Sequence, residues 1–234
     1  ISEPAETVII DIVSVQNGVE DGVQQQTVTI VDDDGTPTVT LTTTGSANIF
    51  EGTGTSTATT TTVTATLSGA ASQTVTVFLA KSGTATDVVD YNLSDTQITI
   101  PAGSTVGSVN LTSVNDPFDE PITETVVIDI SSVTNATENQ TQQQTVTITD
   151  DDATPTVILS VSGGASPSIA EANGTITVTA TSSALSNQAI VVTLQKTGTA
   201  TENADYTLSS TITIAAQTQT GSVVLTALPD TLNE

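Results

Sequence analysis

The sequence predicts an all-β chain of tandem antiparallel sandwich modules, and three observations carry that expectation. Thr alternates with Val, Ile or Ala along much of the 234 residues, as in Gln26-Thr27-Val28-Thr29-Ile30. Such alternation has the two-residue period of a strand with one buried face, and both Thr and Val are β-branched residues favoured on a pleated surface. No segment shows the 3.6-residue apolar stripe of an amphipathic helix. Finally, the pattern recurs: Glu6-Thr7-Val8-Ile9-Ile10-Asp11-Ile12 returns as Glu124-Thr125-Val126-Val127-Ile128-Asp129-Ile130, 118 residues later.

One full repeat runs over residues 35–152, and its strands follow in order. Thr38–Thr44 alternates from Pro37 to Gly45. Ser56–Leu67 alternates as far as Ser68-Gly69, and Gln73–Ala80 resumes after that turn. Thr96–Ile100 ends at Pro101, Gly107–Val114 ends at Asn115-Asp116-Pro117, and Glu124–Val133 ends at Thr134-Asn135. Gln142–Thr149 is stopped by Asp150-Asp151-Asp152. Seven short strands spaced by Gly, Ser, Asn and Asp turns read as an antiparallel sandwich. Residues 1–34 hold the last two strands of a preceding repeat, and 153–234 the first five of a following one. The chain begins at Ile1 without Met, as a window of a longer array would. A second reading is that the two N-terminal strands complete the C-terminal repeat of a neighbouring chain, head to tail.

Composition excludes several functions. Two Lys and Arg stand against 26 Asp and Glu, a formal charge of −24. That balance repels phosphate backbones and anionic membrane surfaces, so neither nucleic acid nor membrane is an expected partner. His, Cys, Met and Trp are absent, which removes His- and Cys-based catalysis, soft-ligand metal sites and disulfides. A carboxylate pair for glycoside chemistry needs an aromatic-lined groove, and three Phe with two Tyr do not furnish one. The expectation is a non-enzyme.

The acids gather at repeat-equivalent positions. In the full repeat they are Glu51, Asp90, the loop of Asp116, Asp119, Glu120 and Glu124, and the terminal run Asp150, Asp151 and Asp152. Their counterparts are Glu3, Glu6, Asp32, Asp33 and Asp34 before it, and Glu171, Asp205, Asp230 and Glu234 after it. Alternate connections of a sandwich fall at one end, so these carboxylates are expected to converge there. Two unit charges 4 Å apart repel by about 4 kcal/mol at an effective dielectric of 20. With almost no Lys or Arg available, the fitting partner is a hard dication, and Ca²⁺ accepts 6–8 oxygen ligands at flexible geometry. The alternative is a solubilising surface charge.

Ile49-Phe50-Glu51-Gly52, Gly83-Thr84-Ala85 with Asp90-Tyr91, Ile98-Thr99-Ile100-Pro101-Ala102-Gly103, Asn115-Asp116-Pro117-Phe118-Asp119-Glu120 with Glu124, and Thr147 to Asp152 together resemble the Calx-β domain. The resemblance covers the whole chain and implies an immunoglobulin-like sandwich. It places a calcium site where the terminal Asp run leads into the next module, built by the acids of the full repeat. Pro117 among the loop acids departs from the acid-richer exchanger sensors of that family. The family's giant bacterial surface proteins imply a structural calcium-binding repeat of a long extracellular adhesin or surface filament, with neighbouring modules as its partners. A calcium-sensing regulatory module is the other reading, and it would need a transporter attached. Among lesser candidates, Asp11 and Asp129 are expected to face water, Tyr91 and Tyr206 to cap the core, and Lys81 and Lys196 to be solvent-facing edge charges.

Overall fold

The computed structural model describes residues 1–52, 59–164, 167–171 and 173–229, and within them the regular structure is all strand. The elements in chain order are β1 (Glu6–Asp11), β2 (Gln25–Ile30), β3 (Thr38–Thr44), β4 (Asn48–Phe50), β5 (Thr60–Leu67), β6 (Val75–Gly83) and β7 (Tyr91–Leu93). They continue with β8 (Gln97–Ile100), β9 (Val106–Ser113), β10 (Phe118–Asp119), β11 (Thr123–Thr134), β12 (Thr137–Glu138) and β13 (Gln143–Thr149). The last are β14 (Val157–Val161), β15 (Thr175–Ser182), β16 (Leu185–Ser186), β17 (Ile190–Thr193), β18 (Tyr206–Thr207), β19 (Thr211–Ile214) and β20 (Thr220–Ala227). The seven strands expected for residues 35–152 are all present, with bounds shifted by up to three residues where described. Ser56 to Ala58 lie outside the described residues. Short β4, β7, β10 and β12 are additional: two or three residues carry no readable period.

The chain divides into two compact units. One is Ile1–Ile49, Ala58–Val114 and Glu124–Ile148; the other is Phe50–Thr57, Asn115–Thr123 and Thr149–Glu234. The first unit is built on two five-stranded sheets, ordered β12-β3-β5-β9-β7 and β4-β13-β11-β6-β8. The long pairs are antiparallel, with Leu41 opposite Ala65, Val63 opposite Val109 and Val77 opposite Ile98. Alternate residues of each strand point inward, so Val39, Leu41, Val63, Leu111, Val75, Val77, Ile98, Ile100, Val126, Ile128 and Val146 are all at most 1 % exposed. Tyr91 caps this core at 2 % exposure, as expected. β11 shifts register against β6 between Ile130 and Ser132, a bulge in an otherwise regular ladder.

The β1–β2 hairpin belongs to the same unit, and among the described residues its two strands pair only with each other, Val8 facing Val28 and Glu6 facing Ile30. Every residue of both strands is exposed. Its root is held by Ser2, whose N–H donates to the Ala70 carbonyl at 3.3 Å and whose carbonyl accepts from the Ser72 N–H at 2.9 Å.

The second unit carries a four-stranded sheet, β14-β15-β20-β18, and a two-stranded one, β17-β19. By repeat position the first matches β3-β5-β9-β7, and the second matches β6-β8. Among the described residues, the fully buried core here is Ala180, Ile212 and Ile214. The two lysines correct the sequence expectation: Lys81 lies on β6, between β11 and β8 in sheet order, and ion-pairs with Asp87, while Lys196 ion-pairs with Glu202.

Candidate metal centre

The second compact unit contains the segments that bear Glu51, Asp116 to Glu120 and Asp150 to Asp152. Each is fixed by local backbone chemistry. The Glu51 N–H donates to the Thr149 carbonyl at 3.1 Å, which sets the residue after β4 beside the end of β13. Asp116 closes its own turn by accepting the Phe118 N–H at 2.9 Å. Asp150 does the same for the Asp152 N–H at 3.3 Å. Short polar side chains that bond the backbone two residues on hold a loop without regular structure.

Glu51 is only 3 % exposed. Burial, and then the charges of Asp116, Glu120 and Asp150, push its carboxyl up to about 8, although the Asp116 backbone N–H partly offsets them. Asp150 is raised chiefly by burial, with Asp152 and Asp119 adding to the shift against two backbone hydrogen bonds that lower it. Asp152 is raised by burial and by Asp151, Asp116 and Asp119. Among the described residues, three buried carboxylate oxygens have no hydrogen-bond partner: Glu51 Oε1, Asp151 Oδ1 and Asp152 Oδ2. Charge thus links these seven acids through Glu51, Asp150 and Asp152, in surroundings where an unpaired polar atom is costly. Neither lysine is available to compensate them, each being committed to Asp87 or Glu202.

The acid loop is also tied to the strands that follow it in the same unit. β10 pairs in parallel with β16, Phe118 opposite Leu185 and Asp119 opposite Ser186. The buried Ser186 hydroxyl donates to the Asp119 carbonyl at 3.0 Å and reaches Asp119 Oδ2 at 3.2 Å. Asn187 Nδ2 donates to Glu120 Oε1 at 2.6 Å, and Gln217 Nε2 donates to Asn187 Oδ1 at 3.2 Å. Sequence reasoning missed Ser186, Asn187 and Gln217. They are uncharged and lie in turn-like surroundings, so no residue-type signal distinguishes them.

The other expected acids fall elsewhere. In the first unit, buried Asp90 accepts the Thr86 N–H at 2.5 Å, and a carboxylate oxygen of Asp90 lies within 4.8 Å of one on Glu124. Asp32, Asp33 and Asp34 bring carboxylate oxygens within 4.8 Å of one another. Asp32 accepts the Glu3 N–H at 3.2 Å, and Asp34 pairs with the terminal amine. The Asp34 N–H to Asp32 Oδ1 turn, at 3.3 Å, repeats the one at Asp150–Asp152. Glu6 is exposed on β1. In the second unit Glu171 and Asp205 line one cleft, with Asp205 accepting the Thr201 N–H at 2.6 Å. Asp230 and Glu234 lie outside the described residues.

The donor set is made of carboxylate and carbonyl oxygens, which suits a hard dication and not a soft metal. The orphaned oxygens of Glu51, Asp151 and Asp152 fit a cation that would take them as ligands.

Solved structures similar to the chain include CBD12 from CALX1.2, 18 % identical, with 77 % of this chain and 72 % of that one covered and a TM-score of 0.37. The calcium binding domain CBD12 of CALX1.1 is likewise 18 % identical, with coverage of 78 % and 73 % and a TM-score of 0.37. No curated protein matches. The sequence matches the Calx-beta domain over residues 46–152 and again over 163–231. The chain belongs to the Calx-beta domain family.

Proposed function

We propose that the chain is a structural calcium-binding repeat of a long extracellular adhesin or surface filament on bacteria, in which bound Ca²⁺ stiffens the junction between successive modules. One observation carries the reading: buried Glu51 leaves Oε1 without a partner while facing the charges of Asp116, Glu120 and Asp150. A dication supplies the positive charge that no side chain in the cluster offers. Glu51, Asp116, Asp119, Glu120 and Asp150 to Asp152 would hold it. Ser186 and Asn187 orient Asp119 and Glu120 from the following strands, so the same loop serves both the acids and the next repeat. Only Ala153-Thr154-Pro155 and Thr156 separate Asp152 from β14, a short connection with little length to flex. An extracellular setting suits such a site, since affinities in the 10⁻⁴–10⁻³ M range suffice there. The absence of Cys fits a secreted bacterial product that does without disulfides.

Calorimetric titration with CaCl₂, paired with small-angle scattering before and after EGTA, tests the reading. Expected are saturable binding and a scattering profile that loses its extended, stiff form on chelation. An absence of binding at 10 mM Ca²⁺, or stiffness and melting temperature unchanged by EGTA, overturns it.

A further inference from the structure

One backbone clasp occurs in both units, and its side chains differ. In the second unit the Asn187 N–H donates to the Asp119 carbonyl at 3.0 Å, and the Gln217 N–H donates to the Ser186 carbonyl at 2.8 Å. The first unit has the same two bonds at the equivalent positions: Ser72 N–H to the Ser2 carbonyl at 2.9 Å, and Gly103 N–H to the Ala71 carbonyl at 2.8 Å. There the side chains add nothing. Ala71 and Gly103 have no polar atoms to offer, and Ser72 Oγ is buried without a hydrogen-bond partner among the described residues. In the second unit they form a chain that ends on the acid loop. Gln217 Nε2 donates to Asn187 Oδ1 at 3.2 Å, and Asn187 Nδ2 donates to Glu120 Oε1 at 2.6 Å. The Ser186 hydroxyl reaches Asp119 Oδ2 at 3.2 Å.

The backbone of Gln217 gives independent support. It stands between β19 and β20 at φ +60°, a left-handed conformation that is costly for a residue with a Cβ and not for glycine. Gly103, in the corresponding turn between β8 and β9, has φ +77° and open space around it. The turn alone therefore favours glycine at both places. What glutamine supplies in exchange is its amide, and that amide is bonded to Asn187. Asn187 in turn is a neutral donor. It fixes one Glu120 oxygen without cancelling the carboxylate charge, where an ammonium would compete with a dication. A Glu side chain already held loses less rotamer freedom when it ligates, and partners that orient a metal ligand are worth about 10–100-fold in affinity.

We infer that Asn187 and Gln217 are positioning residues for the cation of the acid loop: Gln217 fixes the Asn187 amide, and Asn187 holds Glu120 in place to ligate. The inference rests on the calcium reading above. It adds that the affinity of the site ending one repeat is set by uncharged side chains of the repeat that follows. A following repeat with the residues of the first, Ser72 and Gly103, would leave the same acids looser and the site weaker.

Calcium affinity is measured by calorimetry on the full chain and on Gln217→Gly, Asn187→Ser, Glu120→Ala and the Asn187→Ser/Glu120→Ala pair, with melting in EGTA for each. Gln217→Gly should bind Ca²⁺ several-fold more weakly while its melting temperature in EGTA stays level or rises, a divergence that a purely structural role would not give. Asn187→Ser should lose about tenfold in affinity, and nothing further once residue 120 is Ala. In EGTA, the side-chain amide signals of Asn187 in ¹⁵N-edited NMR should shift on Glu120→Ala and on Gln217→Gly. Affinity unchanged in Asn187→Ser, or a loss of equal size with and without the Glu120 carboxylate, overturns the inference while the calcium reading stands. Affinity losses that merely track losses in the EGTA melting temperature overturn it as well. No calcium uptake by the unmodified chain overturns the calcium reading and this inference with it.

Discussion

With its carboxyl pushed up to about 8 by burial and neighbouring acids, Glu51 is mostly protonated at pH 7 in the calcium-free chain. Calcium takes carboxylates, so binding at pH 7 should release close to one proton, and almost none at pH 9.5. Titrations in buffers of different ionisation enthalpy read that number directly. The same shift sets a stability slope. The folded chain holds the proton far above the unfolded value of 4.5, so the favourable contribution is complete below about pH 4.5 and is lost as pH climbs to about 8. Asp150 and Asp152, also raised, give slopes of the same sign. Melting in EGTA should therefore fall between pH 5 and pH 8.5, and saturating Ca²⁺ should flatten the fall. Glu51→Gln removes one charge from the cluster: the calcium-free chain should melt higher at pH 8.5 than the unmodified one. Its calcium affinity should drop at least tenfold, about 1.4 kcal/mol. A calcium-free melting temperature that rises with pH contradicts this account of the cluster.

Among the strands, glycine stands at two places where backbone of another strand comes close. A Cβ on Gly107 in β9 would fall 2.6 Å from the Thr99 carbonyl oxygen of β8, and one on Gly221 in β20 would fall 2.3 Å from that of Thr213 in β19. Backbone cannot yield as a flexible side chain can, so Gly107→Ala should cost about 1–3 kcal/mol in chemical denaturation. Gly69→Ala, with open space around it, should stay within about 0.5 kcal/mol. Ser186→Ala strips the hydroxyl donor from the Asp119 carbonyl and Oδ2 in a buried setting, a loss of about 1–3 kcal/mol read in the same assay. These elements differ in how well the sequence foretells them. Long alternating runs such as Thr60–Leu67 announce their strand and inward face, and the 118-residue repeat assigns β1 and β2 their counterparts before any coordinates. The two-residue β10 and β16 have no period to read, and their parallel pairing joins segments 67 residues apart. The acids Glu51, Asp116 and Asp150 stand out by type and recurrence. The burial of Glu51 does not, because no residue pattern distinguishes a buried strand-end carboxylate from an exposed one.

At the scale of the whole molecule, stability is unevenly distributed between the two compact units. Twenty-one buried apolar residues form the core of the first, from Val39 to Ile148, whereas three fill that of the second among the described residues. Burying a Val, Leu or Ile side chain is worth about 1.5–3 kcal/mol, so this difference outweighs any plausible difference in surface contacts. Calcium-free, the chain should not unfold in one step: scanning calorimetry in EGTA should show a low transition from the second unit and a higher one from the first. Hydrogen exchange should assign them, with the amides of Ile212 and Ile214 less protected than those of Ile98 and Ile100. The seven coupled acids all lie in segments of the second unit, so Ca²⁺ should act on the lower transition. At a hundredfold excess over Kd, mass action contributes about 2.7 kcal/mol to the folded state of whatever binds. That is a large fraction of the stability of a unit with so small a core. The lower transition should move upward toward the higher one while the higher one stays within a degree or two. A single transition that calcium displaces as a whole would show that the acids stabilise both units together, and would remove the link between the small core of β14–β20 and its dependence on the cation.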